Sequence, residues 1–299
     1  MSETVKSRAD TRDKAVNGVL LTLAALGLAA LLAIDLVAAL THTGRPAAAA
    51  PSVHGGPSTT APAAPTTVAT TVPQQRMVAT GGSYVHRPTC TAPATVMVPD
   101  LTEVAHLAGN TPGSYSPGAP PDKTVPGSWY GYPSALPVIA AQPGWLEVRE
   151  AQRPNGATAW IPDDNVTFST TPYAMVLNLC TAHLLVFQGG QEIYDFPAGI
   201  GAPDDPTVTG EYFVSMTTPP PGPGYGPFVL ATSAHSDAIR SWEGQGDAII
   251  GIHGPITAYD DRLIGSSGAA ISHGCIRLHD ADLAKLSVIP AGTPLQIVG

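Results

Sequence analysis

Cys275 lies in the run Ser272-His273-Gly274-Cys275, with Arg277 two positions on and His253 upstream. A cysteine acyl transfer needs a thiolate, a base to make it, and hydrogen-bond donors for the oxyanion that develops at the attacked carbonyl. Gly274 has no side chain, so a substrate carbonyl can approach the backbone beside the sulfur. The N–H groups of Gly274 and Cys275 are then a candidate donor pair. His253 ends an apolar run, Ala248–Ile252, next to Gly254, a position that presents an imidazole at a cleft. If the segment is extended, His273, Cys275 and Arg277 share one face, so a proton acceptor and a fixed cation flank the sulfur and favour thiolate. A lone cysteine is more often an apolar filler, and a lone histidine more often structural. The cluster, not any single residue, carries the chemical reading.

Those residues need a scaffold, and the sequence predicts a mainly β one. Gly and Pro number 31 each, an excess that suits turns and strands better than a helical bundle. Residues 171–299 read as a strand series: Tyr173–Leu179 and His183–Phe187 around a Cys180-Thr181-Ala182 turn, then Glu192–Pro197, Glu211–Met216, Phe228–Leu230, Ala248–Ile252 and Leu295–Val298. Residues 217–227, TTPPPGPGYGP, form a rigid loop, and His279–Leu286 is the one clear helix. Asp260-Asp261 reads as a solvated turn. Residues 81–169 read as short strands of a small β-barrel, with runs at Ala94–Val98, Leu136–Ala141, Trp145–Arg149 and Ala159–Ile161 and a strong turn at Arg153-Pro154-Asn155-Gly156.

Residues 16–41 are almost wholly apolar and long enough to cross a bilayer as a helix. Lys6, Arg8, Arg12 and Lys14 precede them, which places a 1–15 tail in the cytoplasm and the rest outside. Signal cleavage followed by secretion is the alternative. The Ala/Pro/Thr-rich tract 42–80 has too few large apolar side chains to offset chain entropy and reads as a disordered linker. A net charge of −9 argues against a nucleic-acid partner. No metal-ligand spacing is present, since the histidines are scattered and Cys-x-x-Cys is absent, and no cofactor is called for. Of the three cysteines, Cys90 and Cys180 are a candidate disulfide between the two folded segments, which would leave Cys275 free.

Ser-His-Gly-Cys-Ile-Arg-Leu, preceded by Ile-His-Gly, resembles the signature of the L,D-transpeptidase catalytic domain of the YkuD type. Residues 176–201, 206–214 (PTVTGEYFV) and 292–298 are similar to other strands of that family, so the likeness spans roughly 172–299. Residues 136–166 resemble bacterial Src-homology-3-like domains. The resemblance implies a membrane-anchored cell-wall enzyme that cross-links peptidoglycan stem peptides through a thioester and is acylated by carbapenem-type β-lactams. Cys275 would be the nucleophile and His253 the base, oriented by the Ser272 carbonyl. The backbone N–H groups of His273, Gly274 and Cys275 would receive the oxyanion, and Arg277 would support the site or meet a substrate carboxylate. His235, Trp242 and Tyr259 sit in loops around the motif and are candidate donor-groove residues. The chain departs from the pattern at Pro255-Ile256, where many members carry Thr or Ser and then Asn. Hydrolysis of stem peptides, as by an L,D-carboxypeptidase or cysteine peptidase, shares the acyl-enzyme and stays open, as does a non-catalytic wall-binding module.

Overall fold

A computed structural model describes residues 75–79, 95–241 and 247–299, and the side chains from Val96 onward within that set. The expected anchor at 16–41, most of the linker, Cys90 and Trp242 lie outside the described residues. Among the described residues, no helix is long and apolar enough to cross a membrane.

The end of the expected linker is in fact a strand. Gln75–Ala79 (β1) pairs antiparallel with Thr95–Pro99 (β2), Met77 opposite Met97. Nor does the Ala94–Val98 run join the barrel segment as expected. Val96 and Val98 are buried against Ala174, Val176, Leu185 and Phe187 of the C-terminal segment, while Met97 between them is exposed. The period of two gives β2 one apolar face, and that face lies on the larger sheet.

The next module comprises β3 (Thr102–Leu107), β4 (Thr111–Gly113), β5 (Lys123–Val125), β6 (Ser128–Trp129), β7 (Tyr132–Pro133), β8 (Ala135–Gln142), β9 (Trp145–Arg149), β10 (Thr158–Pro162) and β11 (Val166–Thr171). Five of these make an antiparallel sheet in the order β10-β9-β8-β3-β11; β4–β5 and β6–β7 are separate hairpins. Alternation along β9 and β10 turns Leu146, Val148, Ala159 and Ile161 inward, with Ala105, Leu107, Val125 and Leu136. One further member of this core, Phe213, comes from the C-terminal segment and is fully buried.

The C-terminal segment supplies β12 (Tyr173–Asn178), β13 (His183–Gln188), β14 (Gln191–Pro197), β15 (Ile200–Gly201), β16 (Gly210–Thr218), β17 (Val229–His235), β18 (Ile249–His253), helix α1 (Ala258–Asp261), β19 (Ala270–Ser272), β20 (Ile276–Arg277), helix α2 (Asp280–Lys285) and β21 (Pro294–Val298). Eight strands form one sheet, ordered β14-β13-β12-β21-β16-β17-β18-β20, with parallel pairs at β12–β21 and β18–β20. Strand β12 is apolar on both faces because both are covered. Met175 and Leu177 enter the main core with Leu283 and Leu286, whereas Ala174 and Val176 meet β2. The sheet thus carries a helical layer on one face and the N-terminal elements on the other, and its β18–β20 edge holds the chemistry-bearing residues.

Candidate active site

Strands β18 and β20 run parallel, Ile252 beside Ile276 and His253 beside Arg277. This register sets Cys275 level with Gly251, whose N–H donates to Cys275 Sγ at 3.4 Å. Two residues of strand separate that level from His253, about 7 Å along the axis. Ile250 and Ile252 turn into the core, so Gly251 and His253 fall on the opposite side of the strand. A side chain at Gly251 would come within 2.9 Å of Val229 Cγ1, which ties this donor to a glycine. Among the described residues, Cys275 is the free cysteine and keeps part of its surface open, whereas Cys180 is buried and disulfide-bonded.

His253 is 3% exposed. Its Nδ1 is 2.7 Å from the Gly254 carbonyl oxygen, which fixes the neutral ring with hydrogen on Nδ1 and a lone pair on Nε2. Burial pushes its pKa down to about 4, Arg277 pushes the same way, and the Gly254 hydrogen bond opposes both. Burial pushes the Cys275 thiol up, while the Gly251 N–H and Arg277 pull it down. The resting pair at neutral pH is therefore imidazole and thiol rather than imidazolium and thiolate.

A loop predicted to be rigid covers His253. The Tyr225 ring lies 4.6 Å from that of His253, centroid to centroid. The Gly254 N–H donates to the Tyr225 carbonyl and the Ile256 N–H to the Gly224 carbonyl, each at 2.8 Å. The approach is so close that a side chain at Gly224 would stand 2.2 Å from the Ile256 oxygen. Ile256 itself has φ 74°, a left-handed conformation that is costly for a β-branched residue. In place of a hydroxyl or amide after Gly254, this chain has a backbone clasp.

The segment around Cys275 is not one extended strand. β19 ends at Ser272, Gly274 has φ 110°, and β20 starts at Ile276. His273, expected on the face of the sulfur, is instead largely exposed and paired with Asp205 (Nδ1–Oδ2 2.5 Å). The left-handed turn at Gly274 breaks the alternation that would have aligned them. Ser272 Oγ closes the turn, donating to the Cys275 carbonyl (2.5 Å) and accepting from the Gly274 N–H (3.2 Å). Nor does the Ser272 carbonyl orient His253. It accepts from the Ala202 N–H at 2.8 Å, and the Gly254 carbonyl takes the role expected of it.

Arg277 is where the cation was expected, beside His253. Its Nη1 is ion-paired with Asp260 Oδ2 (3.0 Å) and donates to the Pro255 carbonyl (3.4 Å), and its Nε is buried without a partner among the described residues. Asp260 and Asp261 are not a solvated turn. Thr257 caps α1 by accepting from the Asp260 N–H, and the two carboxylates hold Arg277 and His279 (2.7 Å). A cleft of about 450 Å³ opens here, lined by Gly224, Ile256, Thr257, Asp261, His279 and Asp280 among others. Tyr259 stands exposed on α1, with Arg262 5.7 Å from its ring.

His235 does not line a groove. It is completely buried, with Nε2 2.8 Å from the Ala151 carbonyl oxygen of the preceding module. Asp247 Oδ2 lies 2.6 Å from its Nδ1, off the direction of a hydrogen bond. The Arg153–Gly156 turn clasps this corner. Asn155 exchanges hydrogen bonds with the His235 backbone, and Arg153 pairs with Asp247 and donates to the Ser236 carbonyl. His235, expected in a loop, instead ends β17, and nothing in its local sequence shows the module that packs over it. Asp205, Thr207, Tyr225, Gly251 and Asp260 were missed as site residues; only the Thr257-x-x-Asp260 capping pattern signalled one of them in advance.

Residues 172–297 match the sequence profile of the L,D-transpeptidase catalytic domain family, YkuD. The putative L,D-transpeptidase YkuD of Bacillus licheniformis is 28% identical over 129 residues, 43% of this chain and 67% of that protein. Among solved structures, an L,D-transpeptidase from Mycobacterium smegmatis is 16% identical with a TM-score of 0.34, over 55% of this chain and 82% of its own. L,D-transpeptidase 3 from Mycobacterium tuberculosis, in complex with a faropenem-derived adduct, is 17% identical with a TM-score of 0.32, over 48% and 74%. The sequence matches place the likeness to L,D-transpeptidase catalytic domains in the C-terminal segment.

Proposed function

We propose that this protein is an L,D-transpeptidase that cross-links peptidoglycan stem peptides through a thioester on Cys275. The observation that carries the reading is the pairing of a thiol held by the Gly251 N–H with an adjacent strand ending in a buried imidazole whose Nε2 keeps its lone pair. Sγ attacks the carbonyl between meso-diaminopimelate and the terminal D-Ala of a donor tetrapeptide as its proton passes to His253 Nε2. Collapse of the tetrahedral intermediate breaks the C–N bond, and D-Ala leaves with the proton from His253. The side-chain amine of an acceptor diaminopimelate then attacks the thioester, forms the new amide and returns a proton, through His253, to the thiol.

The neutral resting pair suits a wall enzyme, because the sulfur stays unreactive until an acyl donor enters and the oxyanion finds its donors. Arg277, half-buried beside both groups, supplies a fixed positive potential. We assign residues 102–171 to an Src-homology-3-like support, and residues 16–41 to an anchor that holds the enzyme outside the membrane with 42–74 as its tether.

A disaccharide-tetrapeptide incubated with the protein tests the reaction. Release of D-Ala with accumulation of cross-linked dimer is expected. Tripeptide alone would mark hydrolysis instead, and no release from a protein with a titratable free thiol would defeat the enzyme reading.

A further inference from the structure

Thr207 lies on the segment between β15 and β16, far in sequence from the nucleophile, and is 4% exposed. Its Oγ1 donates to the Gly274 carbonyl at 2.8 Å and accepts from the Gly201 N–H at 2.8 Å. One hydroxyl therefore ties the peptide that precedes the sulfur to a backbone stretch that is itself fixed, through the Ile200 and Ala202 N–H groups, to the Ala269 and Ser272 carbonyls.

The held carbonyl belongs to the Gly274–Cys275 peptide. That unit is trans, so its carbonyl and the Cys275 N–H point in opposite directions. Fixing the carbonyl on Thr207 fixes the direction of the Cys275 N–H, away from the Thr207 side. Gly274 has no Cβ to hold its own backbone, and at φ 110° this peptide would otherwise have wide freedom to rotate. Of the other donors the motif offers, the Gly274 N–H next to it is engaged by Ser272 Oγ. The Cys275 N–H is thus the donor whose aim is set from outside the turn.

We propose that Thr207 is a positioning residue that aims the Cys275 N–H at the oxyanion formed when the thiol is acylated. This rests on the acyl-transfer reading, and it concerns only steps that pass through a tetrahedral intermediate. Alkylation of the same sulfur by iodoacetamide is a direct displacement and forms no oxyanion, so it needs no such donor. The two reactions share the nucleophile and its base but not the aimed N–H.

The test compares wild type, Thr207→Val and Thr207→Ser of the full chain. Each is measured for acylation of Cys275 by p-nitrophenyl acetate and by a carbapenem, and for alkylation by iodoacetamide across pH. The expected result is an acylation loss of roughly 10- to 1,000-fold in Thr207→Val, with alkylation rate and thiol titration unchanged and Thr207→Ser restored to near wild type. Equal losses in acylation and alkylation would make Thr207 merely structural and overturn the proposal, as would unchanged acylation in Thr207→Val. Unchanged alkylation certifies that the valine variant is folded around the thiol. A wild type acylated by the ester but not by the carbapenem would sink the transpeptidase reading while leaving this inference to the ester data.

Discussion

Two histidines end neighbouring strands of one hairpin, His235 on β17 and His253 on β18, and both are buried with lowered pKa values. Burial is the largest cause in each case. The difference lies in their second nitrogen. His235 has Nε2 on the Ala151 carbonyl and a carboxylate against Nδ1, with an arginine and an asparagine closing the corner. His253 has Nδ1 on the Gly254 carbonyl, an aromatic ring over its face, and no partner for Nε2 among the described residues. The same residue type at the same kind of strand end is cement at one edge of the hairpin and, in the proposed mechanism, a base at the other. What separates them is what meets the second nitrogen: a carboxylate against His235 Nδ1, and none among the described residues at His253 Nε2.

Substitutions sharpen that contrast, beginning with the largest expected effect. His253→Gln should slow acylation of Cys275 by about 10²- to 10⁴-fold while leaving thermal stability near wild type, read by stopped-flow kinetics and calorimetry. Phe213→Ala empties the plug that the large sheet places in the smaller module's core and should destabilise by about 3–5 kcal/mol in denaturant titration. His235→Gln should cost about 1–3 kcal/mol of stability, because Asp247 and the Ala151 carbonyl lose their partner, with acylation per folded molecule unchanged. If His235→Gln were the catalytic lesion and His253→Gln the structural one, the contrast would be inverted.

Acidity probes the two residues together. A histidine whose folded pKa lies below its unfolded value of about 6.5 binds its proton less readily in the native state. The unfolded chain then carries more protons below about 6.5, so this stability is complete above that pH and is lost as pH falls below it, for His253 toward about 4 and for His235 in the same direction. Melting temperatures should therefore decline across that window. His253→Gln and His235→Gln should each flatten the decline, which is the smallest of the effects named here.

The sequence made the proposed nucleophile, the proposed base and the strand series readable because they depend on short-range patterns: an apolar run ending in His-Gly, and Ser-His-Gly-Cys before a helix. Their hydrogen-bond partners were not readable. Thr207, Asp205 and Gly251 reach the site from strands and loops whose neighbours are set by sheet order rather than by chain order. The extended reading of 272–277 failed because Gly274 adopts φ 110°, a freedom the residue permits but does not announce. Likewise β2 was assigned to the wrong sheet, since a Val-x-Val strand fits any uncovered apolar face and only the fold says which one is bare.

Intact-mass measurement of the wild-type protein after exposure to a carbapenem tests the central claim most directly. One covalent adduct, mapped by peptide digestion to Cys275 and absent from Cys275→Ala, is the predicted outcome. An unmodified wild type, or an adduct that persists in Cys275→Ala, would contradict it.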